Sequence, residues 1–153
     1  MIDAKSGVSG AGRDPTAEKH FVAVDETVTP YKVGRHRHTP EIEQELGATV
    51  TFTPHLVPIA HGELVSCYVA PTREEDVRAL YEEAYGGEPW VEVVEGPPGM
   101  QEVRETNFCR ISVHPVTGRL IVFATIDNLW KGTSSQAVQN LNLMFGRDEG
   151  EGL

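Results

Sequence analysis

The sequence predicts an α+β domain built on a mixed, mainly antiparallel sheet with helices over one face. Short runs that alternate apolar and polar residues recur through the chain, and this two-residue period is typical of strands. Turn-length links join several of these runs, and such links favour hairpins. Together with stretches that have a helical apolar period, they give the predicted order α-β-β-α-β-β-β-α.

The composition is that of an ordinary soluble domain with its own core: 153 residues, 39% hydrophobic and 24% charged. The net charge of -10 argues against nucleic acid and anionic membranes as partners, because both attract basic surfaces. No apolar run approaches the roughly 18 residues of a membrane span and no signal peptide is recognised, so we expect a cytoplasmic protein. Cys67 and Cys109 lie in apolar runs without a CxxC pattern and are predicted to be free, buried thiols.

Five stretches predict strands. In the first, Val50 and Phe52 alternate with threonines, and the last two are joined by the sequence PVTG, which is short enough for a hairpin. The predicted strands are residues 48–58, 62–71, 89–96, 107–115 and 118–127.

Two helices are predicted from their caps. Thr39 is the expected N-cap of the first, and Gly47 ends it. Thr72 and Glu75 form an expected capping box at the start of the second, over residues 73–85.

A third helix is predicted after Thr133 and Gln136, which can form another capping box, and it ends at Gly146. Its buried face is predicted to consist of Ala137, Val138, Leu141, Met144 and Phe145. Residues 1–19, rich in glycine, serine and charge, are predicted to be loop.

The stretch SGVSGAGR, residues 6–13, is the first candidate site. Glycines let a backbone approach a ligand closely, and successive N–H groups in such a loop can bind an anion. The alternative is a flexible terminal tail. The stretch differs from the dinucleotide-binding fingerprint, because we predict no strand before it and no helix after it.

Two histidines alternate with two arginines in the second candidate site, YKVGRHRHTPE. If the segment is extended, His36 and His38 point to one side. Histidine suits acid–base chemistry, and the arginines and the following helix N-terminus should lower the pKa of His38. The alternative is a solvated basic patch. No metal site is predicted, because no cysteine or carboxylate lies nearby at ligand spacing.

The third candidate site is DNLWKGTSSQAVQN, in which Asn128 and Lys131 precede the last predicted helix. The alternative is an ordinary helix cap with a solvated polar face.

In this order, the three sites resemble the C-terminal part of the N-acetyl-γ-glutamyl-phosphate reductases, which belong to the semialdehyde dehydrogenase family. The resemblance covers nearly all of the chain and includes the segments DAKSGVSGAGR, YKVGRHRHTPEIEQEL, VTFTPHLVPIAHGELVSCYV, LYEEAYGGEPWV, TNFCRISV and IDNLWKGTSSQAVQNLNLMFG.

The resemblance implies an oxidoreductase of arginine biosynthesis that uses NADPH to reduce a small-molecule acyl phosphate to a semialdehyde. The implied acid–base group, beside a nucleophilic cysteine, is His38. The implied substrate-binding residues are Tyr31, His36 and Ser9, and the implied residues beside the nicotinamide of NADP are Ser6, Gly7 and Asn128. In one departure, His61 stands where the family usually has arginine.

The resemblance also implies a division of the chain. Residues 1–132 would be a substrate-binding and dimerisation domain, with residues 1–19 as its active-site loop region, and residues 133–153 would pack on a Rossmann domain. In the family that domain and the cysteine precede the matching part, and we find neither here. We therefore expect a homo-oligomer that is inactive without an N-terminal half. The alternatives are a non-catalytic oligomerisation module, or a related dehydrogenase acting on another or a carrier-bound acyl phosphate.

Overall fold

The computed structural model describes residues 1–73 and 75–153, and within them one sheet has seven strands in the order β2-β3-β1-β4-β7-β6-β5. The strands are β1 (Ile2–Gly7), β2 (Thr29–Pro30), β3 (Phe52–Val57), β4 (Glu63–Val69), β5 (Val91–Val93), β6 (Cys109–Val116) and β7 (Arg119–Ile126). The helices are α1 (Phe21–Val24), α2 (Thr39–Leu46), α3 (Val77–Tyr85) and α4 (Ser135–Met144).

The strand pairing confirms the predicted fold class. β1 runs parallel to β3 and β5 runs parallel to β6, whereas the remaining neighbours in the described sheet are antiparallel. β6 and β7 form the predicted hairpin through PVTG, with Val116 opposite Arg119. The sheet is therefore mixed and mainly antiparallel.

The first strand corrects the prediction that residues 1–19 are loop. β1 lies between β3 and β4 in the sheet, and Ala4 at its centre is only 2% exposed. Backbone hydrogen bonds to two neighbouring strands stabilise this strand. These bonds do not depend on apolar side chains, and so the polar composition of the segment gave no indication of them.

Helix α2 begins one residue earlier than predicted. His38 occupies the N-cap position and Thr39 is the first helical residue, so Thr39 is not the N-cap. Gly47 ends the helix as predicted, with a φ of 60° that favours glycine. The consequence for the site is that His38 stands at the positive end of the α2 dipole.

Helix α3 begins later than predicted. The Asp76 side chain accepts a hydrogen bond from the backbone N–H of Ala79 at 3.1 Å, so Asp76 caps the helix and the predicted capping box at Thr72 is wrong. The predicted span includes residue 74, which lies outside the described residues. The apolar side of α3 packs on the sheet, and the residues of this core are Val77, Tyr81, Tyr85, Cys67, Val91, Cys109, Ile111, Val113, Leu120, Val122 and Ala124.

Helix α4 buries the side opposite to the one predicted. A π-helical turn, Trp130–Ser134, leads into it, and the predicted capping box at Thr133 is absent from this described segment. The buried residues of the helix are polar, namely Ser135, Gln139 and Asn142, whereas the predicted buried face is exposed: Ala137, Val138, Leu141, Met144 and Phe145.

Hydrogen bonds explain why the polar side of α4 is buried. Ser135 Oγ donates to Asn107 Oδ1 at 2.6 Å, and Asn107 Nδ2 donates to Gln139 Oε1 at 2.9 Å. Asn142 Nδ2 donates to the carbonyl oxygens of Glu149 and Glu151, which holds the C-terminal tail against the helix. A buried polar side is favourable only when its groups are paired, and this pairing depends on residues distant in the sequence.

None of the described helices is long and apolar enough to cross a membrane.

Candidate active site

The loop after β1 is held to the loop between β3 and β4. The backbone N–H of Gly7 donates to the Gly62 carbonyl at 2.8 Å, and that of Val8 donates to the Ile59 carbonyl at 2.9 Å. The N–H of Ser9 donates to the Ala60 carbonyl at 3.3 Å. These bonds tie the loop to the sheet, so it is not a free terminal tail.

Two glycines of this loop are required by close packing. A Cβ atom on Gly7 would lie 2.7 Å from the carbonyl oxygen of Ala60, closer than Cβ atoms approach other heavy atoms in proteins. A Cβ atom on Gly10 would lie 3.1 Å from Ser6 Oγ and 3.3 Å from Asn128 Nδ2. Gly10 therefore leaves open a small recess beside a hydroxyl and an amide.

Asn128 connects the two loops through its side chain. Its Oδ1 accepts from the backbone N–H of Gly62 at 2.7 Å, and its Nδ2 donates to Ser9 Oγ at 2.9 Å. Ser9 Oγ in turn donates to the carbonyl of Ala60 at 2.6 Å. The structure thus brings together four residues that the sequence predicted for this region: Ser6, Gly7, Ser9 and Asn128.

Asp127, which precedes Asn128, was not predicted as a site residue from the sequence. It is fully buried, and its carboxylate accepts hydrogen bonds from the backbone N–H groups of Glu105 at 2.9 Å, Leu129 at 2.8 Å and Trp130 at 3.2 Å. Burial alone would raise the pKa of this carboxyl, but these donors outweigh it and hold the pKa below its ordinary value. An aspartate directly after a strand often bonds the backbone two residues on, and that position was the available indication in the sequence.

The Asp127 carboxylate also faces His61, whose Nδ1 lies 3.4 Å from Oδ2. His61 is partly exposed, and its neighbours Ala60 and Gly62 both bond to the loop after β1. Asp127 therefore holds the backbone that follows Asn128, at Leu129 and Trp130, and lies close to His61 in the loop between β3 and β4.

The histidine segment forms a second group of predicted site residues. It is a turn and not an extended strand, because the N–H of Thr39 donates to the His36 carbonyl at 3.1 Å. The two histidine rings are nevertheless close, with centroids 4.9 Å apart. The N–H of His38 donates to His36 Nδ1 at 3.3 Å, and the ring of Tyr31 lies 5.5 Å from that of His36.

The two histidines differ in environment. His36 is buried against Phe52, at a centroid distance of 5.2 Å, whereas His38 is exposed. Burial, and then the positive charges of His38, Lys32 and Arg37, lower the pKa of His36. His36 is thus held neutral near pH 7. The ring of His38 is exposed to solvent at the N-terminus of α2.

Strand register places the two groups on one face of the sheet. Phe52, which contacts His36, pairs with Ile2, and Ile2 lies on the same face as Ser6 because side chains alternate along β1. On β4, Glu63 pairs with Ser6 and shares that face. Burial, and then the nearby charge of Glu63, raise the pKa of the Tyr31 hydroxyl. Glu63 was not predicted as a site residue, and in the sequence it is one of many glutamates.

The two cysteines do not belong to this constellation. Cys67 and Cys109 are partly buried in the core beneath α3, and both are free thiols. Burial raises the pKa of each, so both are mainly protonated at neutral pH and are poor nucleophiles. Within the described residues, no group of three or more His, Cys, Asp or Glu could hold a metal ion.

The fold and these loops define a class of protein. The sequence profile described as "Semialdehyde dehydrogenase, dimerisation domain" matches residues 1–128, and the chain belongs to that family. Among solved structures, the aspartate semialdehyde dehydrogenase II of Vibrio cholerae is similar with a TM-score of 0.72 and 15% identity, over 95% of this chain and 54% of that one.

Proteins with similar sequences carry a more specific name than the family profile does. An N-acetyl-gamma-glutamyl-phosphate reductase from Desulforudis audaxviator is 52% identical over 169 aligned positions, which cover 100% of this chain and 48% of that protein. A reductase of the same name from Methanocaldococcus jannaschii is 48% identical, again over 100% of this chain and 48% of the relative. The chain thus spans about half the length of the curated relatives it matches.

Proposed function

We propose that this chain is the substrate-binding and dimerisation half of an NADPH-dependent N-acetyl-γ-glutamyl-phosphate reductase of arginine biosynthesis. The observation that carries the proposal is the bridge from Asn128 to Ser9 and Gly62, found in a chain 52% identical to a reductase of that name. The bridge fixes a loop of small polar residues, and strand register places Ser6 at its start on the same face of the sheet as Phe52, which contacts His36.

In this proposal the substrate lies between the two groups of residues. Ser9 and Tyr31 offer hydroxyls to it, and neutral His36 offers a ring nitrogen or N–H. His38, exposed at the start of α2, is the acid–base group. It takes the proton of the attacking thiol as phosphate leaves the acyl group, and it returns that proton to the thiolate that is released with the aldehyde.

The nicotinamide of NADP, which supplies a hydride when bound, would lie on the same face. The recess that Gly10 leaves open is bounded by Ser6 Oγ and Asn128 Nδ2, a hydroxyl and an amide that suit a carboxamide group. The residues present fit this cofactor at its nicotinamide end, with Gly7 allowing the loop to pass close to Ala60. The dinucleotide's phosphates would be held elsewhere, in a Rossmann half.

The nucleophilic thiolate would also come from that half. Cys67 and Cys109 lie in the core with raised pKa values, and a nucleophile must lie within hydrogen-bond reach of its base. The exposed apolar side of α4 would pack on the same half, and second copies of the chain would complete a homo-oligomer.

The test is reconstitution with the separately purified N-terminal half of the Desulforudis audaxviator relative. The assay follows NADP⁺-dependent oxidation of N-acetylglutamate semialdehyde in the presence of phosphate. We expect no turnover by the chain alone and measurable turnover by the mixture. Cys67→Ala and Cys109→Ala should retain the reconstituted rate and cost only packing, roughly 1 kcal/mol each.

Two results would overturn the proposal. Robust turnover by the chain alone that is abolished by either cysteine substitution would show that the nucleophile lies in this chain. A mixture that forms a stable complex but stays inactive would favour a non-catalytic oligomerisation module.

A further inference from the structure

A cavity of about 200 Å³ opens beside the start of α4. The residues that line it are not among the predicted site residues. They combine two aromatic side chains with a group of polar ones, and they include Trp90, Trp130, Glu105, Thr106, Asn107 and Ser135. Trp90 and Trp130 are the two tryptophans of the chain, and this cavity brings them together.

The aromatic walls of the cavity are held in place by their neighbours. The ring of Trp90 packs against that of Phe108, with centroids 5.3 Å apart. A Cβ atom on Gly150 would lie 3.3 Å from Trp90 Cζ2, so the C-terminal segment passes directly over this indole. On the other wall, the backbone N–H of Trp130 donates to Asp127 Oδ1 at 3.2 Å, while the side chain is 40% exposed.

Glu105 enters the lining in a conformation that costs free energy. Its φ of 57° lies in the left-handed region, which residues other than glycine seldom adopt. The Asp127 carboxylate holds it there by accepting its backbone N–H at 2.9 Å. One buried carboxylate thus fixes the backbone of both Glu105 and Trp130, and backbone strain of this kind is concentrated at functional sites.

The inner polar groups of the lining are paired with protein atoms. Ser135 Oγ donates to Asn107 Oδ1 at 2.6 Å, and Thr106 Oγ1 donates to the Val103 carbonyl at 2.8 Å. A ligand rich in N–H or O–H donors would compete with these bonds. The groups that remain to bind a ligand are the two indole rings and the carboxylate of exposed Glu105.

The charge of the surroundings favours a cation. Aromatic faces attract positive charge, indole most strongly, and the net charge of -10 attracts cations to the molecule as a whole. The basic neighbours of the lining in the sequence, Arg104 and Lys131, lie outside it. The Lys131 ammonium donates to Gln139 Oε1 at 2.7 Å, and Gln139 Nε2 donates to the Glu149 carboxylate at 3.4 Å, which offsets the lysine charge.

We propose that this cavity binds a methylated ammonium group between Trp90 and Trp130, with Glu105 as its counter-charge. A cation of this class carries methyl groups in place of N–H donors, as the paired polar lining requires. Its size is suitable, since a cavity of about 150 Å³ is enough to hold benzene. The site is separate from the candidate active site, so the inference goes beyond the proposed function and does not depend on it.

The experiment is a ¹H–¹⁵N NMR titration of the chain with choline. The two tryptophans give two indole N–H signals, and we expect both to shift along one saturable curve. The matched probe is 3,3-dimethyl-1-butanol, which has the shape of choline with carbon in place of the charged nitrogen. It should bind about tenfold more weakly or worse, because it lacks the attraction between the cation and the rings.

Two pairs of variants complete the test. Trp130→Ala should weaken choline binding by about tenfold, followed at the Trp90 signal, whereas Phe21→Ala at an exposed aromatic of α1 should not. Glu105→Gln should weaken choline by about threefold and leave the alcohol unchanged, with exposed Glu83→Gln as its control.

Three results would overturn the proposal. The first is equal affinity for choline and the neutral alcohol, which would make the cavity an apolar site. The second is the absence of a saturable shift with choline. The third is wild-type affinity for choline in both Trp130→Ala and Glu105→Gln. The Glu105 variant keeps the test decisive if W130A loses its fold, because the Glu105 side chain is exposed.

Discussion

Asn128 and Ser9 are joined by a hydrogen bond of 2.9 Å across 119 positions of the sequence. The same Asn128 side chain accepts from the backbone N–H of Gly62 at 2.7 Å. One buried amide therefore holds the end of β7, the loop after β1 and the start of β4 in a fixed arrangement. The candidate site depends on this arrangement, and its residues are contributed by segments that the sequence keeps far apart.

We predict that Asn128→Ala destabilises the chain by roughly 1–3 kcal/mol, because a buried N–H and a serine hydroxyl lose their partner. Asn128→Asp should have an intermediate effect, since a carboxylate still accepts from Gly62 but cannot donate to Ser9. Chemical denaturation measures both effects. Asn140→Ala, at an exposed amide of α4, is the control and should change stability little. Equal stabilities of N128A and N140A would contradict the bridging role.

His38→Ala should lower the reconstituted reductase rate by about 10²–10⁴, the usual contribution of a positioned acid–base group. The fold should be unaffected because the His38 side chain is exposed and makes no capping bond. The measurement is kcat in the reconstituted assay, with His20→Ala as the control at another exposed histidine. A loss within twofold of the control would remove His38 from the catalytic role and direct attention to His36.

Asp127 should contribute to stability in a pH-dependent way. Its folded-state pKa lies below the ordinary value of 3.8, so its contribution is fully present above that value and is lost as pH falls through the folded pKa. Asp127→Asn should therefore cost roughly 1–3 kcal/mol at pH 7 and progressively less in acid, because the charged acceptor is already absent from the variant. Urea denaturation between pH 2 and pH 7 measures the difference from wild type, with exposed Asp14→Asn as the control. A difference that stays constant down to the lowest pH would contradict this assignment.

The exposed apolar side of α4 should drive association. Leu141 is 53% exposed and Met144 is 81% exposed, and apolar patches of this kind mark contact surfaces. The double variant Leu141→Glu, Met144→Glu should raise the dissociation constant for self-association or for the N-terminal half by about tenfold or more, equivalent to about 1.4 kcal/mol. Sedimentation velocity over a range of concentrations measures this effect.

The control for the helix is Asn140→Glu, which adds charge at an exposed polar position of α4. The double variant should also keep the thermal midpoint of the wild type, because the buried polar side anchors the helix. Unchanged association together with a lower midpoint would mean that the apolar residues stabilise the monomer instead.

Local pattern was sufficient for much of the fold. The hairpin of β6 and β7 follows from alternation and a short link, and Gly47 ends α2 because its φ of 60° suits glycine. The proximity of His36 to His38 was suggested by their spacing. In each case the deciding interactions act between residues close in the sequence, so the local sequence pattern predicts them.

The sequence by itself determined the α+β class, the strands of the central and C-terminal parts, and the segments from which site residues come. The tertiary structure decided the rest. Polar β1 is a strand because two distant neighbours pair with its backbone. The polar side of α4 is buried because Asn107 and the C-terminal tail satisfy it. Glu63 joins the site because β1 lies beside β4. Hydrogen bonds and pairing between distant segments are non-local, and no periodicity within one segment reports which partner it will meet.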